Sequence, residues 1–90
     1  MEKAIITVIG KDKVGIIAKT TNVLAECRVN VLDITQTIMQ EMFTMMMIVD
    51  ISKSELEISE IGSKLSETAD ELGVEIRIQH EDVFNTMHRI

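Results

Sequence analysis

Asp12, Gly15 and Asn30 are the residues of this sequence whose types and spacing can hold a small charged molecule. Asp12 offers a carboxylate that accepts hydrogen bonds from an ammonium group, and the Asn30 amide both donates and accepts. Gly15 closes the stretch "GKDKVG", Gly10 to Gly15, just ahead of an apolar-periodic run that begins at Ile16. A helix starting there leaves its first amide N–H groups without intrahelical acceptors, and its dipole adds partial positive charge. A carboxylate fits such an end, and a glycine lets its atoms approach the backbone closely. Together these positions suit an α-amino acid, cation and anion at once, without selecting its side chain. Each also has a plainer use: Asp12 as a helix N-cap, Asn30 as a residue tolerant of a left-handed turn.

The other reactive residue types form no comparable set. The glycines lack the spacing of a phosphate-binding loop. Met45, Met46 and Met47 fall in a strand-like run, where neighbouring side chains point to opposite faces and cannot converge on one soft metal ion. Their expected use is adaptable packing. Cys27 lies on an apolar stripe, where a buried thiol is inert. His80 and His88 stand near the C-terminus with no fixed partners to complete a metal site, so neither a metal nor a cofactor is expected. No nucleophile with an orienting base is visible; an interface enzyme using His80 for proton transfer is the catalytic alternative.

Ninety residues and 10.1 kDa allow one domain, 1–90, at a size where burial only just offsets chain entropy. The net charge of -6 and pI near 4.8 repel a phosphate backbone, and Phe43 and Phe84 are the only aromatics for base stacking. Nucleic acid is not an expected partner. A single cysteine, no signal-peptide pattern and no apolar stretch of about 20 residues lead to the expectation of a cytoplasmic protein without membrane association.

The elements that must position the candidate residues follow from periodicity. "KAIITVIG", Lys3 to Gly10, is β-branched, apolar on both faces, and reads as a central strand. Ile16, Ile17, Val23, Leu24 and Cys27 recur at helical spacing. From Asn30, Leu32, Ile34 and Ile38 alternate with Asp33, Thr35 and Thr37, as in a half-buried strand. "QEM" suits a hairpin into the doubly apolar strand Phe43 to Ile51. Ser52 or Ser54 is the expected cap of a second helix with the stripe Ile58, Ile61, Leu65, Ala69 and Leu72, and Gly73 its C-terminal stop. A last strand faces Val74, Ile76 and Ile78 inward. An amphipathic tail over 82–90, with Val83, Phe84, Met87 and Ile90, is expected to cover a sheet face or a partner.

The order is βαββαβ: an α+β, ferredoxin-like sandwich with a four-stranded antiparallel sheet and two helices on one face. The first and third strands form its central pair. Its other face carries Ile5, Ile9 and one row of the Met45–Ile48 block, an apolar patch expected to mark a partner surface.

This order, the turn "GKDKVGI" and the strand opening "VNVLDITQ" resemble the ACT domain, a regulatory module that binds small molecules, over Lys3 to about Gln79. The residues carrying the likeness are Asp12, Gly15, Ile16, Asn30, Asp33 and Gln36. The chain looks most like small stand-alone prokaryotic ACT proteins and is similar to the ACT portions of formyltetrahydrofolate deformylase and the glycine-cleavage-system repressor. The resemblance implies a homodimer, often joined side by side into one sheet, that binds an amino acid or related metabolite at the interface. It places ligand contacts at Gly10, Asp12, Val14, Gly15, Ile16, Asn30 and Val31, the last two often from the neighbouring chain. The family commonly has proline where Val14 stands, so this turn is less rigid. With no effector domain in the chain, signalling is expected to pass to a separate protein. A ligand-free assembly module is the alternative.

Overall fold

The computed structural model describes residues 1–11 and 14–83. Strand β1 (Lys3–Lys11) leads through the Gly15 turn into α1 (Ile16–Glu26), followed by β2 (Asn30–Met39), β3 (Met42–Asp50), α2 (Ile58–Leu72) and β4 (Val74–His80). The sheet order is β2-β3-β1-β4, antiparallel throughout. The doubly apolar strands therefore occupy the centre, as their composition predicts.

Both helices pack on one face. Ile16 and Leu24 of α1, with Ile61, Leu65, Ala69 and Leu72 of α2, share a core with Ala4, Ile6 and Val8 of β1 and with Phe43, Met45, Met47 and Val49 of β3. These strand residues alternate, so one side of the sheet is dry and the other open. The open side carries Ile9 and Met46, 47% and 41% exposed, but Ile5 on the same side is buried and so does not belong to the expected exposed patch. Met45 and Met47 are fully buried on either side of Met46, so the run is split between the faces and two of its three members are core. Phe43 is buried as well and offers no surface for base stacking; Phe84 lies outside the described residues.

Strand β2 departs from the half-buried pattern. Leu32, Ile34 and Ile38 are 39%, 40% and 58% exposed. A bulge between Val31 and Asp33 breaks the alternation, setting Val31 and Ile34 on the helix side with Leu32 as the extra residue. Val31 packs against the core, whereas Ile34 and Ile38 further along the same side of β2 stay exposed. Among the described residues its outer edge has no neighbouring strand.

Several ends differ from expectation for local reasons. Helix α2 is capped by Glu57, not by a serine: Glu57 N–H donates to Glu60 Oε1 at 3.2 Å in a capping box. Ser52 instead donates its amide and hydroxyl to Asp50 Oδ1, at 3.0 and 2.7 Å, and the Ser54 hydroxyl accepts from Leu56 N–H. Both serines shape the turn after β3. Gly73 ends α2 at φ 69, as expected. Helix α1 closes with Arg28 in the left-handed region, φ 60; Val29 N–H reaches Leu24 O and Arg28 N–H reaches Ala25 O, the bond pair of a Schellman turn. The hairpin between β2 and β3 has a two-residue tip, with Gln40 at φ 55. Among the described residues no helix is long and apolar enough to cross a membrane.

Candidate functional site

The turn at the end of β1 has two glycines with different physical reasons. A Cβ on Gly10 would lie 2.6 Å from Val74 Cγ1 and 2.8 Å from Val74 Cβ. Gly10 is thus a packing residue that lets β1 and β4 pair at their common end. Gly15 has φ 91 and ψ 0, in the left-handed region, and a Cβ there would meet nothing within 4 Å. Its role is conformational, and the space beside it is open.

Gly15 is also the N-cap of α1, and no side chain of the described residues caps that helix. The first intrahelical bond runs from Lys19 N–H to Gly15 O at 2.9 Å. The amides of Ile16, Ile17 and Ala18 therefore precede the ladder, and the first turn holds no acidic residue. The Ile16 side chain is buried in the core, so only its backbone can face a ligand. Val14 is fully exposed, and Ile17 on the first turn is 38% exposed. Asp12 lies outside the described residues.

Asn30 opens β2 and is exposed. The left-handed residue between α1 and β2 is Arg28, which removes the backbone reason for asparagine at position 30. Val31, half-buried, packs against the core. Asp33 is engaged locally: its Oδ1 accepts the Ile34 N–H at 2.9 Å.

Within one chain these two halves stand apart. Asn30 pairs with Asp50, which pairs with Lys3, whereas Gly10 pairs with Phe43, which pairs with Ile38. Lys3 and Gly10 are seven residues apart on one strand, so at 3.3 Å per residue Asn30 and the turn are about 23 Å from each other along the sheet. One protomer cannot bring both to the same small molecule.

His80 sits at the end of β4 that carries neither glycine. Its Nε2 lies 3.5 Å from Glu2 Oε1, and its Nδ1 accepts the Asp82 N–H at 3.2 Å. His88 lies outside the described residues. No three His, Cys, Asp or Glu side chains among the described residues group as metal ligands. Cys27 is 4% exposed, and burial pushes its thiol above its ordinary value, opposing the thiolate that reactivity needs.

A family profile described as ACT domain matches residues 2–79. A UPF0237 protein of Clostridium acetobutylicum is 56% identical over 88 residues, covering 98% of this chain and 99% of that relative. The solved structure of an ACT domain protein from Streptococcus pneumoniae superposes with a TM-score of 0.81 at 40% identity, over 92% of this chain and 93% of that one. A formyltetrahydrofolate deformylase from Pseudomonas syringae superposes with a TM-score of 0.82 at 20% identity, over 89% of this chain and 28% of that one; that likeness is one of fold.

Proposed function

Because this chain belongs to the ACT domain family, we infer that it is a non-enzymatic regulatory protein that binds an amino acid or related small metabolite between two copies of itself. The observation carrying this reading is the separation of Gly15 and Asn30 across a sheet whose β2 edge has no neighbouring strand among the described residues. Antiparallel pairing of two β2 edges about a two-fold axis sets the start of one β2 beside the end of the other. Asn30 and Val31 of one copy then come to the hairpin end of its partner, where Gly15 opens α1. Burial of the exposed Ile34 and Ile38 favours the same pairing.

In that arrangement the ligand carboxylate lies on the unpaired amides at the start of α1, strengthened by the helix dipole. Asp12 accepts from the ammonium group, and Asn30 from the partner closes the site. Val14 and Ile17 border it. The bound molecule ties two chains together, so it stabilises the dimer, and the exposed surface reports that state to a separate protein. The expected setting is the cytoplasm.

Thermal unfolding against a panel of single amino acids, paired with sedimentation, tests the reading. A ligand at about 100 times its Kd adds about 2.7 kcal/mol and shifts the population toward dimer. A dimer indifferent to every ligand would instead make the chain an assembly module; a monomer without ligand response would overturn both.

A further inference from the structure

A hollow lies on the opposite side of the sheet from the helices. Lys11, Met42 and Met39 are successive cross-strand partners at the end of β1, β3 and β2. Lys11 continues the row of Ile5, Thr7 and Ile9, which alternates with the helix-facing Ala4, Ile6 and Val8. Lys11, Met39 and Met42, with the tip residues Gln40 and Glu41, line an open hollow of about 700 Å³. Met39 and Met42 are 69% and 49% exposed there. Lys11 and Glu41 form no ion pair among the described residues, and both border an apolar floor.

The geometry points to this hollow as a second ligand site, separate from the Gly15 turn, that takes a zwitterion bearing an unbranched apolar or thioether chain. Lys11 donates to the carboxylate and Glu41 accepts from the ammonium group, each as a charge-assisted hydrogen bond. Met39 and Met42 supply flexible, polarisable side chains that fit themselves along an unbranched chain. Gln40 is held at positive φ, which turns the tip so that Glu41 and Met42 follow it directly into the same hollow.

The seven methionines provide the probe. In the full chain carrying ¹³C-methyl methionine, L-norleucine should displace the Met39 and Met42 methyl signals saturably and leave those of the buried Met45 and Met47 in place. Glycine, which lacks the chain, and hexanoate, which lacks the ammonium group, should bind more weakly by about tenfold or more, and so should norleucine to Lys11→Met or Glu41→Gln. The response should persist in Gly15→Asn. Silent Met39 and Met42 signals, equal responses to hexanoate or glycine, or a response surviving in the Lys11→Met, Glu41→Gln double variant would overturn the site. A response lost in Gly15→Asn would assign it to the turn and overturn it equally. If the methyl signals stay still while an amino acid raises the melting temperature in a Gly15-dependent manner, the turn reading stands and this one falls.

Discussion

At the scale of single residues, glycines that look alike in the sequence separate by what surrounds them. Gly10 has Val74 Cγ1 within 2.6 Å of where a Cβ would stand. Gly10→Ala is therefore expected to destabilise the fold by about 1–3 kcal/mol through overpacking, read as a lower urea midpoint, whether or not ligand is present. Gly15 has open space but a left-handed backbone, so Gly15→Val conflates strain with occlusion. Gly15→Asn, a residue that tolerates this region, should keep the melting temperature nearly unchanged in the absence of ligand and weaken the ligand-induced shift. An unchanged shift would remove the turn from the site. Asp50 supplies a pH prediction. The Ser52 hydroxyl, and then its amide, hold the Asp50 carboxyl below its ordinary 3.8. A depressed folded value means the contribution is complete above the ordinary value and is lost as pH falls through the folded one. Ser52→Ala should flatten the acid dependence of the urea midpoint below about pH 4; an identical acid slope in the variant would refute the assignment.

At the scale of elements, periodicity located the four strands and the helices α1 and α2 of the described residues, because burial on one face imposes a period of 2 or 3.6 wherever the chain packs. It failed at the ends. Ser54 looks like a cap, yet the reciprocal Glu57–Glu60 box starts α2 three residues later. Glu60→Ala is expected to cost about 1 kcal/mol, whereas Ser54→Ala should cost less; chemical denaturation of the two variants separates them. Strand β2 was legible as a strand from Leu32, Ile34 and Ile38, but these residues are exposed. Alternation marks a surface meant to be covered without saying by what. The bulge at Leu32 left no trace in a pattern that reads the same with or without it.

At the scale of the whole molecule, the prediction concerns how two chains share one site. Gly15→Asn and Asn30→Ala should each weaken ligand binding when pure. Mixed in equal amounts and allowed to exchange, they should regain about a quarter of the intact sites, because half the dimers are mixed and each holds one unaltered turn opposite one unaltered Asn30. Calorimetric titration of the mixture checks this, and no recovery after exchange would rule out a site built from both chains. The sequence by itself determined the βαββαβ order, the central pair of strands and the Gly15 turn, since backbone conformation and one-sided burial are local constraints that residue types record directly. Only the tertiary structure decided that Gly15 and Asn30 lie at opposite ends of the sheet, that Gly10 serves packing against Val74, and that Ile34 and Ile38 of the edge strand β2 stand exposed. Those facts depend on strand order and direction, which bring residues far apart in sequence together or hold near ones apart, and no spacing along the chain encodes them.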